Sequence, residues 1–136
     1  MLKEILAVSG KPGLYRLISK GGNVSVVESL ADKKRLSIFA YNKRISLDDL
    51  SIFTNDGEAP IGEVLSKIQE KEYGKTVSID YMKTSMDELR AYLAAVLPDY
   101  DRERIYPTDI RKLLKWYDLL IENGITDFSE KEENEL

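Results

Sequence analysis

Short apolar segments separated by turn residues fill the first 57 residues, and this pattern restricts the fold more than any other feature. Five segments of strand length are rich in Val, Ile, Leu, Tyr and Phe: Ile5–Ser9, Leu14–Lys20, Val24–Leu30, Arg35–Tyr41 and Leu50–Thr54. The gaps between them are too short for crossover helices, so neighbouring strands have to run antiparallel. Curling such a set would remove its exposed edges. We therefore predict a small antiparallel β-barrel, SH3-like or Tudor-like by analogy.

The apolar spacing changes to the helical period after residue 57. Pro60 is suited to the first position of a connecting helix, which is predicted to end near Gly74. The segment Gly74–Thr84 fits either a short strand or a tethering linker. Ser85 has the spacing of a capping box at the start of a second helix. A third helix begins near Thr108, its predicted cap, and the short loop between these two helices predicts a helical hairpin.

The fold class predicted for the whole chain is α+β, and 136 residues suit one domain or two very small ones that share a core. The predicted parts are a barrel over 1–57, a connecting helix and linker over 58–84, a helical hairpin over 85–128 and an acidic disordered tail over 129–136. No apolar run approaches the roughly 18 residues that cross a bilayer, and the first residues lack the apolar length of a secretory signal. We therefore expect a cytoplasmic protein.

Two residue types that carry much enzyme chemistry, Cys and His, do not occur in the chain. This excludes disulfides, thiolate nucleophiles and cysteine metal sites, and it removes the commonest general base. Motifs for nucleotide binding and for nucleophile elbows are missing as well. The loop Asp99–Glu103 alternates carboxylates like a calcium loop, but Arg104 and Ile110 stand where that loop needs Gly and Glu. We predict no enzyme, no metal and no cofactor.

Basic residues outnumber acidic ones in the first 57 residues, which hold nine Lys and Arg against six Asp and Glu. The candidate nucleic-acid-binding residues on the barrel are Arg16, Lys20, Lys33, Lys34, Arg35, Lys43 and Arg44. Tyr15, Phe39 and Tyr41 offer stacking surfaces beside these charges, which is typical of RNA binding. The alternative is a charged edge whose lysines prevent aggregation. An aromatic cage for methylated lysine is a further Tudor-type option.

A second set of candidates has the residue types common at protein interfaces. These candidate partner-binding residues are Tyr100, Arg102, Arg104, Tyr106 and Trp116. The alternative is that Tyr100, Ile105 and Tyr106 pack their loop onto the helices. Trp116 would then cover the junction of barrel and helices. The cations beside Trp116 resemble a solvated helix face, with Asp118 and Glu122 as partners for ion pairs along the helix.

Three segments resemble a known family: LKEILAVSGKPGLYRLISKGGN, VVESLADKKR and LPDYDRERIYPTDIRKLLKWYDLLIENG. The family consists of uncharacterised Bacteroidetes proteins with an N-terminal and a C-terminal domain of unknown function, and the resemblance spans roughly residues 1–128. It implies a bacterial, soluble, cytoplasmic protein, and it transfers no catalytic residues. From the residues themselves, the preferred function is a non-enzymatic module that binds an unidentified protein. RNA or ribosome binding through the basic barrel loops is the alternative.

Overall fold

The first half of the chain forms a five-stranded antiparallel sheet in the computed structural model, which describes residues 2–128. Its strands are β1 (Ile5–Val8), β2 (Tyr15–Lys20), β3 (Val24–Ser29), β4 (Arg35–Phe39) and β5 (Arg44–Ser46), in the spatial order β4-β3-β2-β1-β5. Strands β1 to β4 confirm four of the predicted segments, whose β-branched and aromatic residues suit a pleated surface. The predicted acidic tail, residues 129–136, lies outside the described residues.

The sheet is open, so the predicted barrel is not found. Strands β4 and β5 are its two edges, and within residues 2–128 no strand ladder joins them. The last predicted strand, Leu50–Thr54, contains β6 (Ser51–Thr54), whose backbone pairs with β7 (Gly57–Pro60) in a separate hairpin. The place beside β1 is taken by β5, a strand of three residues that the sequence pattern did not indicate.

Three α-helices follow the strands: α1 (Ile61–Lys71), α2 (Met86–Val96) and α3 (Pro107–Glu122), while 3₁₀ turns cover Leu2–Glu4 and Leu47–Asp49. Ser85 caps α2 as predicted, because its hydroxyl accepts a hydrogen bond of 3.1 Å from the backbone N–H three residues later. The predicted cap of α3, Thr108, is wrong. Pro107 occupies the first helical position, and the Asp109 carboxylate accepts the backbone N–H of Tyr106 at 2.9 Å.

One main hydrophobic core joins the sheet to the helices. It contains the apolar faces of all three helices and, from the first half of the chain, Leu2, Ile5, Leu14, Leu30 and Leu47. A smaller core on the other face of the sheet contains Leu6, Val8, Tyr15, Val27 and Ile38. Successive residues of β1 belong to different cores because side chains alternate across a strand. The sheet is therefore packed on both faces, and its β1–β5 edge lies close to the helices.

The segment between α1 and α2 is a loop bound to α3, and no strand forms there, so the strand alternative is wrong. We call residues 75–82 the strap. The carboxylate of Asp118 accepts two hydrogen bonds from it, from Val77 N at 2.8 Å and from the Tyr81 hydroxyl at 2.9 Å. The Tyr117 hydroxyl donates to the carbonyl of Lys75 at 2.7 Å. The strap is thus fixed to α3 at both of its ends.

Candidate nucleic-acid interface

A groove of about 880 Å³ lies between the β1–β5 edge of the sheet and α3. The cations that line it are Lys11, Lys43, Arg44, Arg111, Lys112 and Lys115. None of the seventeen lining residues, all in the described part of the chain, is Asp or Glu. Because acids outnumber bases by 24 to 20 in the whole chain, the groove is far more basic than the rest of the molecule.

The sheet wall of the groove is built by the β1–β2 loop and β5. Gly10 and Gly13 in this loop have φ values of 81° and 79°, which glycine adopts without a steric penalty, and Lys11 lies between them. The backbone N–H of Ser9, the first residue of the loop, donates to the carbonyl of Lys43 at 2.9 Å, and this bond continues the β1–β5 ladder. The backbone of Arg44 belongs to that ladder, opposite Val8. Backbone hydrogen bonds therefore bring three cations to one wall.

The helix wall is formed by the first ten residues of α3, which line the groove with Thr108, Arg111, Lys112, Lys115 and Trp116. These positions share one side of the helix because residues three and four apart are neighbours on its surface. The Nε of Arg111 donates to the backbone carbonyl of Tyr81 in the strap at 2.8 Å. A carbonyl has no net charge, so Arg111 is held in position by this contact, and it forms no ion pair within residues 2–128.

Two carboxylates beside α3, those of Asp118 and Glu72, bind groups other than the cations of that helix. The predicted ion pairs with Asp118 and Glu122 are wrong, because none of the three α3 cations pairs with a carboxylate within residues 2–128. Asp118 binds the strap instead. Glu72, which is buried, accepts hydrogen bonds from the hydroxyls of Tyr92 and Ser78. These two negative charges are thus used to fix internal contacts.

Burial raises the pKa of three tyrosines that contact these acids and the strap. For Tyr81, burial is the largest cause and the hydrogen bond to Asp118 adds to it. Burial followed by the hydrogen bond to Glu72 raises the pKa of Tyr92 in the same way. The pKa of Tyr117 rises to about 12. All three hydroxyls therefore remain protonated near neutral pH and continue to act as hydrogen-bond donors.

Apolar side chains cover the groove between its basic walls, namely Ala7, Ile45, Leu50, Met82 and Trp116. Met82, carried by the strap, is 58% exposed. The ammonium of Lys112 lies 5.9 Å from the ring centre of Trp116, within the range of a cation–π contact. Cations beside exposed apolar and aromatic surface suit a ligand that combines negative charges with flat rings.

Two of the seven predicted nucleic-acid-binding residues, Lys43 and Arg44, line the groove. Arg35 lies on β4, at the opposite edge of the sheet, about 19 Å away over four strand spacings. It forms an ion pair with Glu28 at 3.5 Å. Arg16 opposes the same Glu28 in the β2–β3 ladder, so one carboxylate lies between these two arginines.

The other three predicted cations also lie outside the groove. The Lys33 ammonium donates to the side chain of Asn123, just after α3. Lys34 is exposed in the turn before β4, and Lys20 is exposed at the end of β2. The seven predicted residues therefore do not form one surface. Sequence reasoning missed Lys11 and the three cations of α3; the available signal was a basic stripe at helical spacing around Trp116.

The predicted partner-binding residues of the α2–α3 loop mainly hold that loop in place. Tyr100 is only 1% exposed and forms a bridge with Thr54 at the end of β6. The guanidinium of Arg102 lies 4.3 Å from the Tyr100 ring centre, and that of Arg104 lies 4.5 Å from the ring centre of Phe53. These contacts support the packing alternative for this loop.

Tyr106 and Trp116, the remaining two candidates, do not lie together. Tyr106 is 60% exposed at the start of α3. Trp116 lies ten residues later, which is about 15 Å along the helix axis. Only Trp116 lines the groove. The five predicted residues therefore do not form one contact patch.

Residues 2–128 contain neither a metal-binding cluster nor a helix that could span a membrane. No group of three or more carboxylates there is placed to hold a metal ion. In the loop that resembles a calcium site, the Asp101 carboxylate accepts hydrogen bonds from Glu103 N and from Arg104 Nε, at 2.9 and 3.1 Å. No helix in this part of the chain has the length and apolarity needed to cross a membrane.

Comparisons with known proteins assign a family without an activity. The model of a domain of unknown function, DUF5606, matches residues 2–47, and that of a second, DUF6852, matches residues 50–120. A solution NMR structure of a Bacteroides vulgatus protein, a structural-genomics target, has 52% sequence identity and a TM-score of 0.75; the match covers 94% of this chain and 91% of that one. A comparison with curated proteins gives no match. The predicted family resemblance is confirmed: the chain belongs to the family of proteins that join these two domains of unknown function.

Proposed function

We propose that this protein is a non-enzymatic module that binds single-stranded RNA in the groove between the sheet and α3. The observation that carries the proposal is the set of six cations on two facing walls, with no carboxylate among the described lining residues. Contacts to phosphates supply most of the affinity of sequence-independent RNA binding. A concave basic surface also attracts a polyanion from solution, even though the net charge of the chain is −4.

The apolar surface of the groove favours RNA over a polyanion without rings. The exposed Ile45 and Met82 and the partly buried Trp116 line the groove between its cations. A single strand presents a flat base for every phosphate, so its bases cover apolar surface while its phosphates reach the walls. A run of acidic side chains would satisfy the cations and leave this apolar surface in water.

Charge reversal inside and outside the groove tests the proposal. Lys43→Glu combined with Lys112→Glu changes one cation on each wall, and we expect it to weaken the binding of a labelled single-stranded RNA at least tenfold in fluorescence anisotropy. The matched control, Lys20→Glu combined with Lys34→Glu, makes the same change of net charge at exposed positions outside the groove. We expect it to alter affinity only a few-fold. Equal losses in the two variants would show that the groove cations have no special role and would overturn the proposal.

A protein partner is the second candidate function, and an exposed aromatic pair favours it. Phe39 and Tyr41, at the end of β4, stack with ring centres 5.5 Å apart and planes 6° from parallel. Tyr41 is 79% exposed, and Val24, which pairs with Phe39 in the β3–β4 ladder, is exposed as well. Apolar surface at a sheet edge is typical of protein contacts.

An affinity pull-down from cell lysate, split into RNase-treated and untreated halves, tests this second function. A protein partner should persist after RNase treatment and be lost with Tyr41→Ser. It should be retained with Tyr73→Ser, which removes a tyrosine of similar exposure elsewhere on the surface. Retention by Tyr41→Ser would contradict a role for the stacked pair.

A further inference from the structure

Trp116 lies between the main hydrophobic core and the basic groove. One part of its side chain packs against the main core, and the residue also lines the groove. Lys112, one turn earlier on α3, places its ammonium 5.9 Å from the centre of the indole ring. Lys43 and Arg44 line the opposite wall. An aromatic ring that is anchored in the core is thus presented in a groove with cations on both walls.

We propose that Trp116 is a stacking platform for one unpaired base, so that the groove selects single strands over duplexes and over polyanions without bases. This inference rests on the proposed function. Any base can stack on an indole because every base has a π-face, and in a duplex those faces are covered by neighbouring base pairs. Phosphates on either side of the stacked base would lie within the range of Lys112 and Lys115 on the same helix. The exposed side chain of Lys112 is flexible enough to turn from the ring to a phosphate.

Two ligands with the same charge and different chemistry separate stacking from charge attraction. A single-stranded RNA oligonucleotide offers phosphates and bases, whereas inorganic polyphosphate offers phosphates alone. The substitution Trp116→Leu keeps all six cations. We expect it to weaken RNA binding about tenfold, the effect typical of losing one base–aromatic stack, and to leave polyphosphate binding unchanged.

Trp116 is the single tryptophan of the chain, so its emission reports directly on the site. The full-length protein is titrated at low salt with the RNA, with the same RNA annealed to its complement and with polyphosphate. Binding of all three is measured in parallel by competition against a labelled RNA. The inference predicts strong quenching by the single strand and little quenching by the duplex or by polyphosphate at equal saturation.

The variants keep the test decisive. Trp116→Phe retains a ring and should recover most of the RNA affinity that Trp116→Leu loses. Unchanged polyphosphate binding shows that the leucine variant is folded. RNA binding that is unaffected by Trp116→Leu, or quenching that is the same for all three ligands, would overturn the stacking platform and leave the groove assignment standing. Failure of every polyanion to bind the wild-type protein would overturn both proposals.

Discussion

The double substitution Lys43→Ala and Lys115→Ala removes one cation from each wall of the groove and gives a quantitative prediction. Both side chains are exposed, and neither forms an ion pair within the described residues, so we expect the free energy of unfolding to change by less than about 0.5 kcal/mol. For single strands, the logarithm of the binding constant falls by about 0.7 per phosphate contact for each unit of log salt concentration. Six contacts correspond to a slope of about −4, and four contacts correspond to about −3.

These slopes translate into large differences in affinity. Between about 50 and 200 mM salt, six contacts cost about 300-fold in affinity and four contacts cost about 50-fold. Anisotropy titrations of a labelled single-stranded RNA at several salt concentrations measure both slopes. The control, Lys20→Ala with Lys34→Ala, removes two exposed lysines outside the groove and should retain the wild-type slope. A groove variant with the wild-type slope, or a wild-type slope shallower than about −1, would refute the reasoning.

Three further predictions concern the parts that build the groove. Asp118→Ala leaves two donors of the strap without their acceptor, and we expect a loss of about 2 to 3 kcal/mol in urea unfolding with faster amide exchange over 76–82. A loss below about 0.5 kcal/mol would contradict that role. Gly10→Ala meets no neighbouring atom, so only its positive φ opposes it, and thermal unfolding should show a cost of about 1 kcal/mol. The pKa of Tyr117 is about 12 in the folded chain and about 10 in the unfolded chain. The protonated hydroxyl therefore contributes fully to the free energy of unfolding below pH 10, and this contribution is lost as the pH rises through 12. Tyr117→Phe should therefore flatten the alkaline fall in stability, and an unchanged pH profile would disprove this.

Local sequence pattern predicted the strands that have an apolar face of their own. The strand β5 escaped prediction because Arg44–Ser46 has a single apolar residue, Ile45. It is a strand because its backbone pairs with β1, where Ala7 opposes Ile45, and such a tertiary contact leaves no trace in local spacing. The same pairing explains why the predicted barrel does not close, since β6 is free to form a hairpin with β7.

The groove was predictable only in part, because it depends on two segments far apart in the chain. Lys43 and Arg44 were identified as candidate cations, but the facing wall requires that the main core pack α3 against the sheet edge. Nothing in the local pattern indicated that the partner of Asp118 is the strap and not Lys115. The local signal was Trp116, one position away from the apolar stripe of its helix.

Mapping the RNA contacts on the ¹⁵N-labelled protein tests the central claim most directly. In an NMR titration with a short single-stranded RNA, we expect the amide shifts of residues 9–11, 13, 43–45 and 111–116 to change together, along with the indole N–H of Trp116. Shift changes confined to residues 20–23 and 31–35, with the groove amides unmoved, would contradict the assignment of RNA binding to this groove.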